Sequence, residues 1–364
     1  MILWNFVPFL FLGVLGIATN YVFSFDYQFE RYTLIFYIIS FYLVWIIPKV
    51  FLLIISPFIF IWLRFNKHLL NSIAFKLTIL SVTIFWAFML MYGIFIGRNK
   101  VTVSHIELKI DRLPRTFDGF KIIQISDIHA GSFWLNAKAF KKILDSCNVQ
   151  KADLILFTGD AVNQFASELS IINNDLKQLY ARYGKYAILG NHDFGDYTIW
   201  KSPSEKEKNL KDLIKYLTNN GFKYLRNAHT YICKGNDSIA LIGVDNWGLK
   251  PFKQYGDLLK ALRGIDTNKF SIVLSHDPTH WDEQIKHSFV RSISLSGHTH
   301  AFQFGLDFWG IKWSPSSLKY KKWWGLYNEN NNYLYVSRGI GTIGYMGRIG
   351  MYPEIVVLTL KCND

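Results

Sequence analysis

Long apolar runs with almost no charged residues fill the first hundred positions of the chain. Residues 4–24 and 77–97 are each long enough to cross a bilayer as a helix, whereas residues 32–63 are too long for one crossing and short for two. Pro48 lies near the middle of that run, and proline breaks or kinks a helix. We expect either two short spans that turn there or one span followed by an interfacial segment. The pattern therefore predicts four spans, with three as the alternative.

Two other interpretations of the apolar region are less favoured. A cleaved signal peptide would have a basic segment ahead of residues 4–24, and none is present. A buried helical bundle of a soluble protein would not keep segments of this length so free of charge. Lysine and arginine flank the spans about equally on both sides, so the positive-inside rule does not decide the orientation.

From residue 101 onward the pattern changes to short strands and amphipathic helices. Residues 101–108 alternate between apolar and polar positions, as a half-buried strand does. We predict further strands at Lys121–Ile125, Leu154–Phe157, Tyr186–Leu189, Thr230–Cys233, Ile239–Val244, Ser271–Leu274, Ser292–Leu295, Tyr333–Val336 and Glu354–Leu360. We predict helices at Asn136–Cys147, Ser167–Tyr183 and Lys206–Asn219. This mixture of β–α alternation and hairpins indicates an α/β domain of two packed sheets with helices outside. The predicted domains are a helical transmembrane region, 1–100, and a second domain, 101–364.

Composition narrows the function only slightly. The net charge of +13, from 40 Lys and Arg against 27 Asp and Glu, suits anionic lipids, phosphorylated substrates or nucleic acid. It describes a solvated basic surface equally well. The three cysteines are widely spaced and lack a Cys-x-x-Cys pair, which argues against a disulfide framework or a thiolate zinc site.

Ligand-type side chains follow five of the predicted strands. The clusters are Asp127-Ile128-His129, Gly159-Asp160, Gly190-Asn191-His192-Asp193, His276 and Gly297-His298-Thr299-His300. Carboxylate, imidazole and amide oxygen together suit manganese, iron or zinc. Taken singly, the aspartates would cap helices, the asparagine would make a turn and His276 would be a core histidine. Helix capping does not require such residues after five strands, so the sequence predicts a metal site.

This ordered set of motifs resembles the calcineurin-like metallophosphoesterase family over residues 101–364. Within the family it is most similar to a membrane-associated bacterial branch, that of YkuE and YaeI, in residues 126–129 after Phe120, in residues 335–341 and in residues 353–355. The resemblance implies a two-sheet αββα sandwich of the metallophosphoesterase type, preceded by the transmembrane region.

The resemblance also implies a site with two divalent metal ions, most readily manganese, iron or zinc. One ion would be held by Asp127, His129, Asp160 and His300. The other would be held by Asp160, Asn191, His276 and His298, with Asp160 bridging. His192 would act beside the metals as a catalytic residue, and Asp193 would orient its ring. Arg338 and Arg348 are candidate phosphate contacts, although either could instead form a structural ion pair.

The function implied is hydrolysis of a phosphodiester or pyrophosphate bond by a metal-bridging hydroxide. Relatives that cleave the pyrophosphate of UDP-diacylglucosamine make a lipid-linked or nucleotide-linked substrate plausible. Residues 302–327 are rich in tryptophan and lysine, including Trp323 and Trp324, and such residues favour a membrane–water interface. Stacking on single-stranded nucleic acid and simple packing on the domain are the alternatives.

We therefore expect membrane lipids and the substrate as partners, and no stable nucleic-acid partner. We expect a multi-pass protein of the bacterial plasma membrane whose catalytic domain is cytoplasmic. The alternative functions are a nuclease or nucleotide phosphodiesterase, and a catalytically silent membrane scaffold. No predicted metal ligand is missing, which disfavours the scaffold.

Overall fold

The computed structural model describes residues 29–363. Within this range the chain divides into two units. The first contains the residues up to Arg98 and the later segment Gly344–Ile349, and the second contains Asn99–Ile343 and the residues from Gly350 onward. A six-residue segment from the C-terminal part of the sequence thus belongs to the unit formed by the N-terminal helices. The predicted span at residues 4–24 lies outside the described residues.

Two long helices make up most of the first unit. Helix α1 runs over Phe29–Phe65 and helix α2 over Ile73–Phe95. Both are long and apolar enough to cross a membrane, judged by length and composition. The predicted break at Pro48 is wrong, because α1 continues through Pro48 and Pro57 as one helix of 37 residues. A proline removes one backbone hydrogen bond but leaves those on either side of it, so the helix persists.

Backbone amides of the segment Gly344–Ile349 donate hydrogen bonds to both helices. The amide of Met346 donates to Ser40 Oγ at 2.7 Å, and the amide of Arg348 donates to the carbonyl of Gly93 at 3.1 Å. The Arg348 side chain is fully buried in this unit. The prediction that Arg348 contacts a substrate phosphate therefore finds no support, since its guanidinium is not presented to solvent.

The second unit contains fourteen strands and five helices. The first sheet comprises β1 (Thr102–Ile110), β2 (Lys121–Ile125), β3 (Leu154–Phe157), β4 (Lys185–Ala187), β5 (Phe222–Tyr224) and β14 (Glu354–Cys362). The second comprises β6 (Ala228–Lys234), β7 (Asp237–Val244), β8 (Ser271–Ser275), β9 (Ser292–Ser296), β12 (Gly325–Glu329) and β13 (Asn332–Val336). A separate hairpin joins β10 (Leu306–Phe308) to β11 (Ile311–Trp313). The helices are α3 (Ala137–Val149), α4 (Asn173–Leu176), α5 (Pro203–Asn219), α6 (Leu258–Ala261) and α7 (Lys286–Ser288).

The two six-stranded sheets pack face to face. Their orders are β1-β14-β2-β3-β4-β5 and β12-β13-β9-β8-β7-β6, and strands β2 to β5 and β7 to β9 run parallel within their sheets. One apolar core lies between the sheets, with Leu154 from the first and Leu274 from the second fully buried. Helices α3 and α5 cover the outer face of the first sheet, where Phe140 and Leu213 are fully buried. The predicted αββα sandwich is confirmed.

The helix predicted over Ser167–Tyr183 is wrong. The chain there forms a 3-10 segment, Ala166–Ile171, then the short α4, then turns. The buried carboxylate of Glu168 accepts hydrogen bonds from the backbone N–H groups of Gly131, Asn163, Gln164 and Phe165. A glutamate so engaged holds the loop after β3 in place instead of lying along the face of a long helix.

The aromatic stretch 302–327 differs from its predicted arrangement. Trp323 and Trp324 are only 7% and 9% exposed and pack with Ala301 and Met351, so their assignment to a membrane interface is wrong. The exposed apolar side chains of this stretch include Phe308, at 62%, and Trp309, at 90%, both in the β10–β11 hairpin. The alternation of apolar and polar residues did not reveal this hairpin, because each of its strands has only three residues.

Candidate metal centre

Each predicted ligand loop begins at the carboxyl end of a strand. Asp127 follows β2, Asp160 follows β3 and Asn191 follows β4 in the first sheet, whereas His276 follows β8 and His298 follows β9 in the second. These strands are parallel within each sheet, so their carboxyl ends share one edge. The packing of the two sheets brings the five loops together at that edge.

Asp127, His129 and His300 form the first group of ligand atoms. The Nε2 atoms of His129 and His300 lie 3.0 Å apart, and His300 Nε2 lies 3.3 Å from Asp127 Oδ1. His129 Nε2 is also 3.7 Å from Asp160 Oδ2. These nitrogen and oxygen atoms all face one small volume, as the ligands of a metal ion do.

Asp160 and His276 extend the cluster to a second group that also contains Asp127. His276 Nε2 lies 3.1 Å from Asp160 Oδ2 and 4.0 Å from Asp127 Oδ1. On the open side, His298 Nδ1 lies 2.9 Å from Asn191 Oδ1. Asp160 Oδ2 therefore lies near a histidine of each predicted ion, as a bridging carboxylate must, and Asp127 Oδ1 also lies near both His300 and His276.

Electrostatic strain in the cluster favours cations. Burial raises the pKa of Asp127 to about 6, although the positive charge of His276 acts to lower it. Burial disfavours the charged form of His276, yet the carboxylates of Asp160 and Asp127 raise its pKa to about 10. Burial likewise opposes the charge on Asp160, but His276 and His192 outweigh it and hold the pKa of Asp160 below its usual range. Two divalent ions would supply the positive charge that a proton on His276 supplies here.

The donor set fits borderline divalent cations. It offers four imidazoles, two carboxylates and one amide oxygen, and it contains no thiolate. Burial lowers the pKa of His298 to about 4, so this ring is neutral at pH 7, the form that binds metals. Manganese, iron and zinc all accept such ligands, so the donor set does not choose between them.

Unusual backbone conformations hold the ligands in place. Asp127, His129, Asp160, His298 and His300 all have positive φ angles, between 43° and 71°. Residues other than glycine rarely adopt this region, and each instance costs roughly 1–3 kcal/mol. Such strain persists where the surrounding structure imposes it, which is common at functional sites.

Two glycines make room for the aspartates. A Cβ atom at Gly190 would overlap the carboxylate of Asp160, and one at Gly297 would overlap Ser126 Oγ and the carboxylate of Asp127. The glycines of two motifs therefore permit the close approach of the loops. Steric crowding therefore explains why these two motifs contain glycine at positions 190 and 297.

His192 lies at the rim of the cluster. Its Nδ1 lies 2.8 Å from the carbonyl oxygen of Asn163, and its ring meets that of His129 edge-on with centroids 5.0 Å apart. A carbonyl only accepts, so Nδ1 carries the hydrogen and Nε2 is the ring atom available to a substrate. His192 lines a cavity of about 250 Å³ together with Asp160, Asn191, His298 and His300.

Comparison with known proteins matches residues 120–302 to the calcineurin-like phosphoesterase family. The chain belongs to this family. It is 31% identical to the uncharacterized metallophosphoesterase YkuE of Bacillus subtilis, over 75% of this chain and 90% of YkuE. It is 28% identical to a transmembrane protein with metallophosphoesterase domain of Danio rerio, over 82% of this chain and 66% of that protein. A dimetal phosphatase structure from Danio rerio matches at 11% identity and a TM-score of 0.35, over 63% of this chain and 90% of that one.

Asp193 has a different role in this phosphoesterase domain from the one predicted. Its carboxylate accepts hydrogen bonds of 2.8–2.9 Å from the backbone N–H groups of Asp160, Ala161 and Gly190. It therefore joins the second and third ligand loops, and the carbonyl of Asn163 orients His192 instead. The assignment of Asp193 to the His192 ring is wrong, because three amide donors already engage both carboxylate oxygens.

Arg338 does not reach the metal cavity of the phosphoesterase domain. Its Nη2 lies 3.3 Å from Glu354 Oε1, and its guanidinium stacks over the Trp324 ring at 4.3 Å. The side chain is buried and also donates to Thr102 Oγ1. Arg338 therefore forms a structural ion pair with Glu354, the alternative to a phosphate contact.

Three further residues of the domain surround the His298 ring and were not predicted. His298 Nε2 lies 2.9 Å from Tyr320 Oη and 3.4 Å from Asp277 Oδ2, and Phe252 meets the ring edge-on at 4.7 Å. Asp277 directly follows the predicted ligand His276, and this position was the one sign in the sequence that Asp277 lies at the site. Tyr320 and Phe252 come from distant loops and carry no motif.

Proposed function

We propose that this chain is a membrane-anchored dimetal phosphoesterase. It hydrolyses phosphodiester or pyrophosphate bonds of a lipid-linked or nucleotide-linked substrate at the bilayer surface. The observation that carries the proposal is the convergence of both aspartates with His129, His276 and His300 in one buried cluster. Membership of the calcineurin-like phosphoesterase family supports the reaction class.

Asp127, His129, Asp160 and His300 would hold one ion, and Asp160, Asn191, His276 and His298 the other. When bound, the two ions supply an activated water molecule and positive charge for the phosphoryl oxygens. Asp160 Oδ1 accepts the backbone N–H of His192 at 2.9 Å, which fixes this carboxylate between the two groups of ligands. This hydrogen bond orients the Asp160 carboxylate within the cluster.

His192 would assist the leaving group. Its Nδ1–H is fixed on the Asn163 carbonyl, so a protonated Nε2 would donate either to a phosphoryl oxygen or to the leaving oxygen. Tyr197 packs on the other side of this ring, with centroids 4.6 Å apart, and its Oη accepts a hydrogen bond from Asn191 Nδ2 at 2.9 Å. The ring therefore has one open edge, and that edge lines the cavity.

Three observations support a site of action at the bilayer surface. Two helices have the length and composition of membrane spans, and relatives from Danio rerio and Bos taurus are named as transmembrane proteins with a metallophosphoesterase domain. The exposed hairpin residues Phe308 and Trp309 suit the interfacial region of a membrane. We further propose a multi-pass protein of the bacterial plasma membrane with a cytoplasmic catalytic domain, which protease protection in intact cells would test.

The test is phosphate release by the full chain in detergent or vesicles, with manganese added, against lipid and nucleotide phosphodiesters and pyrophosphates. We expect metal-dependent hydrolysis that a chelator abolishes and added metal restores. Hydrolysis of DNA with a steep salt dependence would favour the nuclease instead. No hydrolysis of any phosphoester by a metal-loaded, folded protein would leave the silent scaffold.

A further inference from the structure

A second cavity adjoins the metal cavity across Tyr320. It has a volume of about 460 Å³, against about 250 Å³ for the metal cavity, and Tyr320 lines both. Cavities of a few hundred cubic ångströms are typical of small-molecule sites. Tyr320 Oη lies 2.9 Å from Nε2 of the predicted ligand His298, so the residue between the two cavities directly contacts the metal centre.

The floor of this second cavity is an internally neutralised group of charges. Lys286 and Lys322 each contact both Asp282 and Glu329, at 2.8–3.0 Å. Both ammonium groups also lie over the ring of the fully buried Trp281, at 5.3 and 4.8 Å. Two positive and two negative charges cancel, so this group supplies a polar surface with little net charge.

Lys319 and Lys321 carry the remaining positive charge on the cavity wall. Both are exposed, and the described residues offer neither of them an ion-pair partner within 4 Å. The Lys319 ammonium lies 4.7 Å from the Phe252 ring centroid and 5.0 Å from that of Tyr320. Both of these rings line the metal cavity, so Lys319 lies at the junction of the two cavities.

The lining suits a charged occupant better than an acyl chain. Leu249 and Pro278 are its aliphatic members, whereas lysines and carboxylates form most of the wall. Glu283 is the single acidic side chain of the lining that has no lysine partner, so the cavity has an excess of one positive charge over the described residues. An anionic, hydrated group suits such a surface.

We propose that the second cavity binds a second phosphoryl group of the substrate, next to the one held at the metal centre. This inference rests on the proposed function and narrows it: the substrate is a diphosphate, in which Lys319 and Lys321 contact the phosphate that is not attacked. A nucleoside diphosphate conjugate and a polyprenyl diphosphate both present this chemistry. A simple phosphodiester has one phosphoryl group and would leave the two lysines unused.

The test compares Lys319→Gln and Lys321→Gln with wild type on three substrates. These are bis(p-nitrophenyl) phosphate, a nucleoside diphosphate sugar and a polyprenyl diphosphate, all with the full chain and manganese. We expect the ratio of the diphosphate KM to the bis(p-nitrophenyl) phosphate KM to rise about tenfold per lysine, as one charge-assisted hydrogen bond is worth. Which diphosphate shows the lower KM identifies its source.

Lys269→Gln is the matched control, since Lys269 is exposed, carries the same charge and does not line either cavity. An unchanged KM ratio in both cavity variants, or an equal change in Lys269→Gln, would overturn the proposal. If the wild type hydrolyses none of the three substrates, the proposed function fails and the cavity is tested separately. Calorimetric titration with pyrophosphate would then show binding to wild type that weakens about tenfold in Lys319→Gln, or no difference, which refutes the subsite.

Discussion

Replacing Asp277 with asparagine tests how the protein prepares His298 to bind metal. His298 Nδ1 faces Asn191 Oδ1 at 2.9 Å, and its Nε2 faces Tyr320 Oη at 2.9 Å and Asp277 Oδ2 at 3.4 Å. A ring that binds metal through Nδ1 must carry its proton on Nε2. That proton needs an acceptor, and the buried carboxylate of Asp277 is the charged one available.

The expected magnitude follows from this geometry. Asp277→Asn keeps the shape and the hydrogen bonds that Oδ1 accepts from the backbone and hydroxyl of Thr279, at 2.8 and 2.7 Å, but removes the charge. Loss of a carboxylate partner of a ligating histidine weakens metal affinity roughly 10- to 100-fold, or about 1.4–2.7 kcal/mol. We expect this loss at one ion, because Asp277 contacts none of the ligands of the other.

The assay is a metal titration of the full chain followed by calorimetry, with circular dichroism as the check on folding. Tyr320→Phe is the matched control, because it removes the hydroxyl from Nε2 but leaves the carboxylate. We expect it to change the affinity less than threefold. Equal losses in both variants, or no loss in Asp277→Asn, would refute the assignment of Asp277 as the positioning residue.

Three further predictions concern the same domain. His192→Ala should lower kcat about 100-fold with metal content unchanged, because its ring acts on the leaving group; loss of an ion on elemental analysis would instead make it a ligand. Metal affinity should rise about tenfold per pH unit between pH 6.5 and 8, because a bound metal must displace the proton of His276, whose pKa is raised to about 10. An affinity that does not change with pH in competitive titrations would contradict this. Replacing Phe308 and Trp309 together with serine should raise KM for vesicle-embedded but not for soluble substrates, with the equally exposed Tyr180→Ser as control; parallel changes in both KM values would argue against the hairpin at the interface.

Buried His280 adds a pH dependence of stability that is separate from metal binding. Burial lowers the pKa of His280 to about 4, and its ring is held by Ser275 and Gln284. The unfolded chain takes up a proton below pH 6.5 that the folded chain refuses until about pH 4, so stability falls as the pH falls through this window. The loss approaches about 3 kcal/mol at pH 4, and His280→Gln should remove that part of the slope in urea titrations of the metal-free protein.

The ligands were predictable from sequence because their signal is local. A strand end followed by Asp-x-His, Gly-Asp or Gly-His-x-His can be seen within three or four residues, and the required glycines sit beside the aspartates that they accommodate. Most strands were predicted for the same reason, since buried strands such as β3 are continuous apolar runs. Local pattern therefore gave the two sheets and the metal site.

Features that depend on distant neighbours could not be predicted in this way. The roles of Tyr320 and Asp277 appear only when His298 is brought against them, and the pairing of Arg338 with Glu354 joins residues 16 apart along the chain. Trp324 looked like an interfacial residue by composition, yet it is buried beneath the Arg338 guanidinium. The return of Gly344–Ile349 to the N-terminal unit likewise left no mark on the sequence pattern.

Counting the metal ions bound to the purified full chain tests the central claim most directly. Elemental analysis after loading with manganese should find two ions per chain in the wild type. Asp160→Asn keeps the oxygen that accepts the His192 amide, so it should stay folded, yet it should hold one ion at most and lose metal-dependent hydrolysis. A folded wild-type protein that binds no divalent ion, or an Asp160→Asn variant with two ions and full activity, would contradict a dimetal centre bridged by Asp160.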